Sequence, residues 1–263
     1  LLALGALAAL LAVAAIAGWT RKANRGTGDD RPLAYQIHLT PSESDVGFVA
    51  TQLAISNDGG LIVYSDTVGG TRQLWIKERG VADPHPIPGT QGASGPALSP
   101  DDRSVAYTAG HQLRRIPIGG GTSTVLSDSA STTAVSIRSA WLDNGTIVFL
   151  GGSASMVFTV PDTGGVARRL ATADQLFGWP TSVAAVPGHS AVVITACDIG
   201  GCSTPVISLV NLDPVTRTRI IPGSSGAWPL PGDRILNLLP DGTLYLASFD
   251  AGTGVVGDGV PIA

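Results

Sequence analysis

The sequence predicts an all-β propeller of about five four-stranded blades, and three observations carry that prediction. Short polar turns recur along the chain: Ser56-Asn57-Asp58-Gly59, Ser99-Pro100-Asp101-Asp102, Leu142-Asp143-Asn144-Gly145, Pro187-Gly188 and Pro231-Gly232, with 43 positions between Ser56 and Ser99. Each turn lies between short apolar runs, and no long helical pattern follows residue 20. The 34 Gly and 18 Pro accompany 44% hydrophobic residues, a composition of many turns around a buried core rather than of a disordered chain. A fixed period in the low forties with β-rich runs between turns is the mark of a propeller. One small sheet cannot bury both of its faces, so blades must stack around an axis.

The elements follow in order. Residues 1–18, LLALGALAALLAVAAIAG, carry no charge and no proline. At ~1.5 Å per residue such a helix nearly crosses a ~30 Å hydrocarbon core, and Trp19 follows where an interfacial aromatic would sit. No Met or basic region precedes the run, as a signal peptide would require. The reading is a truncated transmembrane helix, with a trimmed signal peptide and a buried soluble helix as alternatives. Residues 19–33 form a polar linker. Tyr35-Gln36-Ile37-His38-Leu39 alternates and predicts a lone strand of the kind that completes the last blade of a ring. The propeller is expected over 34–263, with blades centred near residues 70, 112, 154, 200 and 243. Five blades could close a ring, but the abrupt end at Pro261-Ile262-Ala263 suggests that more blades follow.

Within the blades, Pro96–Ser99, Ser104–Thr108, Leu113–Ile118 and Thr124–Leu126 are the expected strands of the second. Gly119-Gly120-Gly121 connects its last two, and Gly164-Gly165 does the same in the third. Gly69-Gly70 lies one connection earlier, between Leu61–Ser65 and Gln73–Ile76. The fourth blade spans roughly Thr181–Ile221, and the fifth starts at Ala227.

The two cysteines, Cys197 and Cys202, flank a predicted hairpin tip between Val192–Ala196 and Pro205–Val210. A disulfide there would place the propeller outside the cytoplasm. Two free thiols or half of a metal site are the alternatives, although neither a His nor a second cysteine pair lies close in sequence. Arg21, Lys22, Arg25 and Arg31 point the other way, since positive-inside counting would put that flank in the cytoplasm.

Chemistry is sparse. The net charge of −4 and the lack of a basic stripe argue against nucleic acid. Gly252-Thr253-Gly254-Val255-Val256-Gly257 matches a nucleotide-loop pattern after a strand. Asp258-Gly259-Val260-Pro261 cannot start the helix that such a loop needs, so a flexible connection is expected instead. Kinase catalytic motifs and a nucleophile elbow are missing, and His38, His85, His111 and His189 are scattered. The turn residues Asp58, Gly59, Pro100, Asp101, Asp102, Asp143, Asn144, Gly145, Asp241 and Gly242 read as Asx-type turns. Each turn brings one or two carboxylates, too few for calcium. Trp141, Trp179 and Trp228 lie near inner strands and are expected to pack blade on blade, with a pocket wall as the lesser reading. Catalytic, cofactor and metal residues are therefore expected to be none.

"PIPGTQGASGPALSPDDRSVAY" (86–107) resembles the TolB-like (WD-type) repeat of the extracytoplasmic half of bacterial transmembrane serine/threonine protein kinases. "HQLRRIPIGGGTSTVL" (111–126), "SAWLDNGTIVF" (139–149), "VFTVPDTGGVARRLA" (157–171) and "LPDGTLYLASFD" (239–250) continue it. So does the order of apolar run, short linker and "IHLTP" strand, and the resemblance covers essentially the whole chain. Asn57 and Asp102 stand where the usual SPDG turn has Pro and Gly, and the fourth blade lacks that turn. The resemblance implies a kinase domain upstream, holding ATP and magnesium, one membrane crossing through residues 1–18, and a propeller on the periplasmic or extracellular side. That propeller would bind a protein or small molecule, with a homodimer formed through the parent chain. Similar blades also adjoin winged-helix regulators and serine peptidases, so a scaffold or gating role for such a partner domain is the alternative.

Overall fold

A computed structural model describes residues 53–130, 139–152, 156–176, 178–198, 201–221 and 223–262, without the side chains of 198 and 201–204. The expected transmembrane helix over 1–18, the linker over 19–33 and the strand Tyr35–Leu39 lie outside the described residues. Among those described, no helix is long and apolar enough to cross a membrane.

Five four-stranded antiparallel sheets follow one another along the chain. Blade 1 holds β1 (Leu53–Ile55), β2 (Leu61–Val68), β3 (Thr71–Glu78) and β4 (His85–Pro86). Blade 2 holds β5 (Ala93–Leu98), β6 (Ser104–Ala109), β7 (Gln112–Pro117) and β8 (Thr124–Ser127). Blade 3 holds β9 (Ser139–Trp141), β10 (Thr146–Gly151), β11 (Met156–Pro161) and β12 (Arg168–Thr172). Blade 4 holds β13 (Trp179–Ala185), β14 (Ala191–Asp198), β15 (Gly201–Leu212) and β16 (Val215–Arg219). Blade 5 holds β17 (Gly226–Leu230), β18 (Arg234–Leu238), β19 (Leu244–Asp250) and β20 (Val255–Pro261). The blade centres read at 70, 112 and 243 fall within the spans of blades 1, 2 and 5, and those at 154 and 200 lie outside the described residues. Each of the five sheets has four strands.

The strand chemistry explains the ladders. β2 and β3 pair from Leu61↔Glu78 to Val68↔Thr71 across the two-residue loop Gly69-Gly70. Both glycines have positive φ, 60° and 76°. That is the backbone of the primed turns that suit strand twist, and a side chain would strain it. Apolar residues then alternate between faces. In β15, Ile207 and Leu209 point toward blade 5, whereas Val210 points toward blade 3.

Four cores join the blades in series. Val63, Leu74, Val105 and Tyr107 fill the contact of blades 1 and 2. Ala106, Leu113, Trp141 and Phe149 fill that of blades 2 and 3. Val148, Val157, Ile194 and Val210 join blades 3 and 4, and Ile207, Leu209, Ile235 and Phe249 join blades 4 and 5. Phe149 and Phe158 stack with ring centroids 5.8 Å apart. The linkers into blades 2 and 5 repeat one device. Ile87-Pro88-Gly89-Thr90 and Ile221-Pro222-Gly223-Ser224 each end in a fully buried hydroxyl residue. Thr90 Oγ1 donates to Ile87 O (2.6 Å) and accepts from Leu74 N–H (3.1 Å), so the linker satisfies a ladder donor that no strand reaches. The Ser224 hydroxyl donates to Asn237 Oδ1.

Candidate functional site

The predicted turn residues fall at two ends of the sheets. At the β1–β2 turn, Ser56 Oγ donates to Asp58 Oδ1 (2.7 Å), and the same oxygen accepts from Gly60 N–H (2.8 Å). Leu61 N–H donates to Ser56 Oγ (2.9 Å), closing the turn, while Gly59 takes φ 66°. The β5–β6 turn copies this with Ser99 Oγ to Asp101 Oδ1 (2.6 Å), Arg103 N–H to Asp101 Oδ1 (3.2 Å) and Ser104 N–H to Ser99 Oγ (2.9 Å). Asp102 there occupies the left-handed position of Gly59, with φ 56°. In the β9–β10 turn Asn144 replaces the aspartate and accepts from Thr146 N–H (3.0 Å), beside Gly145 at φ 78°. Asp241 and Gly242 form the same kind of turn, with Thr243 N–H donating to Asp241 Oδ1 (2.9 Å). It joins β18 to β19, one connection later, and so lies at the opposite end of its sheet from the β17–β18 turn.

These turns also tie blades together. Asn57 Nδ2 donates to Pro100 O (3.4 Å), linking blade 1 to blade 2. Gly188 N–H donates to Asp143 Oδ2 (2.6 Å), and Asn144 Nδ2 to Ser190 Oγ (3.2 Å), linking blade 4 to blade 3. The electrostatics follow. Hydrogen bonds from Ser56 and Gly60 hold the Asp58 carboxyl below the usual range, and those from Ser99 and Arg103 do the same for Asp101. Asp102 moves the other way: burial, then the charge of Asp58, raise it against a lowering bond from the Asn57 backbone. The arrangement joins and closes strands. Among the described residues no group of three or more His, Cys, Asp or Glu could hold a metal ion.

The Gly252 loop is a tight turn rather than a flexible connection. Asp250 Oδ1 accepts from Gly252 N–H (2.8 Å) and Thr253 N–H (3.1 Å), and Gly254 N–H donates to Asp250 O (2.7 Å). Val255–Gly257 already belong to β20. Amides that a phosphate would need are therefore engaged by a carboxylate of the same loop.

Cys197 is 5% exposed at the end of β14 and is disulfide-bonded. The side chain of Cys202, its expected partner, falls outside those described. His85, His111 and His189 lie in blades 1, 2 and 4, and no catalytic grouping joins them; His38 is outside the described residues. Trp141, Trp179 and Trp228 lie on β9, β13 and β17, the first strands of their blades. Trp141 is buried in the core of blades 2 and 3, with Arg115 Cζ 5.3 Å from its ring centroid.

Sequence reading missed the arginines that reach from blade to blade. Arg115 on β7 donates to Asp162 O (3.4 Å), and Arg217 on β16 donates to Leu170 O (2.6 Å). Each partner lies 47 residues away, and no local pattern marks either arginine.

Comparison with known proteins finds no matching family model and no matching curated protein. Solved structures do match. TolB from Acinetobacter baumannii superposes with a TM-score of 0.60 at 13% identity, over 80% of this chain and 54% of its own. The chain thus spans about half the length of that TolB. A protein described as a TolB from Agrobacterium tumefaciens gives 0.61 at 17% identity, over 80% of this chain and 79% of that one. A chain of the nidogen/laminin complex gives 0.57 at 15%, over 80% and 78%. The described residues form a five-bladed propeller of TolB type. Identities this low establish fold and nothing more.

Proposed function

We propose that the chain is the extracytoplasmic sensory and interaction propeller of a single-pass, membrane-bound serine/threonine protein kinase, and that it is non-catalytic in itself. One observation carries the reading: an apolar run at Leu1–Gly18, a polar linker and then "GTQGASGPALSPDD" repeats stand in the order of that kinase family. A TolB-type propeller fits the outer half of such a chain. ATP and magnesium would belong to the kinase domain, because phosphoryl transfer needs a phosphate-binding lysine, metal-binding groups and a positioned base. The outer location accords with pairing of Cys197 and Cys202, the only two cysteines. A single helix can pass a signal only if binding outside changes the association or geometry of neighbouring copies, so ligand binding at the propeller should alter dimerisation of the parent. The test is to recover the coding sequence upstream of Leu1 and assay the parent protein for phosphorylation with and without its propeller. An upstream kinase domain whose activity changes on propeller deletion is the expected result. A winged-helix or peptidase domain there would end this reading in favour of a scaffold or gate.

A further inference from the structure

We propose that Asn144 is a site of spontaneous covalent modification, deamidation to aspartate and isoaspartate, and that the hydrogen bond from its side chain to blade 4 sets the rate. Asn144 precedes Gly145, and no other of the chain's five asparagines precedes a glycine. The chemistry is intramolecular. The Gly145 amide nitrogen gives up its proton to hydroxide and attacks Asn144 Cγ. The bond from Cγ to Nδ2 breaks, and Nδ2 leaves as ammonia with a proton taken from water. The succinimide so formed is opened by water at either carbonyl, giving aspartate or isoaspartate. One water is consumed and one ammonia released. Glycine presents no side chain to block the attack, and Asn144 is exposed, so hydroxide and water reach it.

The folded turn restrains both reacting groups. Gly145 N–H donates to Leu142 O (3.0 Å), so the proton that must leave is already bonded. Asn144 Oδ1 accepts from Thr146 N–H (3.0 Å), and Nδ2 donates to Ser190 Oγ (3.2 Å). The carboxamide is thus fastened at both ends, once within its own turn and once to blade 4. Cγ can swing onto the Gly145 nitrogen only when these bonds open. The bond to Ser190 joins exposed residues of two blades, so local opening of that contact releases it first. The product alters the same contact. Aspartate at 144 can still accept from Thr146 N–H, as Asp58, Asp101 and Asp241 accept in their turns. It has no N–H to give Ser190, and it adds a negative charge beside Asp143, which accepts from Gly188 N–H of blade 4. Isoaspartate lengthens the main chain by a methylene inside a turn fixed by the pairing of Ile147 with Trp141.

The experiment incubates the full 263-residue chain at mildly alkaline pH and follows the peptide holding residue 144 by mass spectrometry, with chromatography to separate aspartate from isoaspartate. Peptides holding Asn57, Asn211 and Asn237 serve as references. Residue 144 should convert ahead of all of them. Ser190→Ala should convert about threefold faster than the parent, as loss of one exposed hydrogen bond predicts. The chain unfolded in urea should convert at least about tenfold faster than the folded parent. Ser190→Thr keeps a hydroxyl and should restore the parent rate. Asn144→Gln keeps an amide but would have to close a larger ring, and should show no conversion over the same period. The Ser190 side chain is exposed, so the alanine variant should fold, and an unchanged melting temperature checks this. Faster conversion at another asparagine, or none at 144 in urea, overturns the site. Equal rates in the parent and Ser190→Ala, or no rescue by threonine, overturn control by blade 4.

Discussion

Asp58 and Asp102 carry opposite linkage at neighbouring turns. The lowered Asp58 and Asp101 carboxyls contribute stability above the ordinary value of 3.8, and that contribution disappears as pH falls through their lower folded values. The raised Asp102 does the reverse: the unfolded chain ionises first as pH rises past 3.8, so the folded form is disfavoured at neutral pH. Asp58→Asn should therefore destabilise at pH 7 and flatten the acid limb, since Asn144 shows that an amide oxygen can hold this turn. Asp102→Asn should stabilise at pH 7, with the gain gone near pH 3, because asparagine tolerates φ 56° and keeps an acceptor for the Asn57 backbone. Denaturant melts of the two variants at both pH values check the signs, and like signs would refute the account.

At the level of elements, the linkers and hairpins decide how firmly each sheet holds. Thr90→Val removes the buried hydroxyl that bridges Ile87 O and Leu74 N–H; it should cost about 1–3 kcal/mol in a urea melt. Gly254→Val forces a β-branched side chain to φ 76°, with its Cβ only 3.0 Å from Ile220 Cγ2. It should lower stability without changing nucleotide binding, because neither the parent nor the variant should bind ATP in equilibrium dialysis. The hairpin from Cys197 to Cys202 closes a six-residue loop. Reduction of the bond at Cys197 should cost about 2 kcal/mol, and two thiols alkylated without reductant would exclude the pairing with Cys202. Such elements were legible in the sequence to unequal degrees. Blade turns announce themselves because Ser56, Asp58 and Gly59 act within five residues of one another. Gly69-Gly70 likewise reveals its hairpin through a local backbone demand. The turn at Asp241 shows the limit, since the same Asx chemistry closes either connection of a blade and does not say which. The Arg217–Leu170 bond was not readable, because its partners meet only after a whole blade intervenes. The alternation of Arg217 and Arg219 gives their strand face only once the register to Val210 and Ser208 is known.

Across the whole molecule, the blades form a series in which each core belongs to two neighbours, so stability resembles a chain of nearest-neighbour terms. Among the described residues, no core joins blade 5 back to blade 1. The consequence shows on blade 5, whose two faces differ. Ile235, Ala247 and Phe249 face blade 4 and are buried. Trp228, Leu236 and Leu246 pair across the other face and are only half-buried, and Val260 beside them is 60% exposed. Adjacent residues of one strand therefore sit in different environments. Ile235→Lys would bury an unpaired charge in the core of blades 4 and 5 and should cost more than about 4 kcal/mol, enough to melt that blade. Leu236→Lys places the same ammonium on a half-open face from which a long side chain can reach water; it should cost about 1–2 kcal/mol. Urea melts followed by hydrogen exchange would separate the two, with Ile235→Lys stripping protection from β17–β19 first. Equal and severe losses from both substitutions would show that the far face of blade 5 is as closed as the near one, and the serial picture of the propeller would have to be given up.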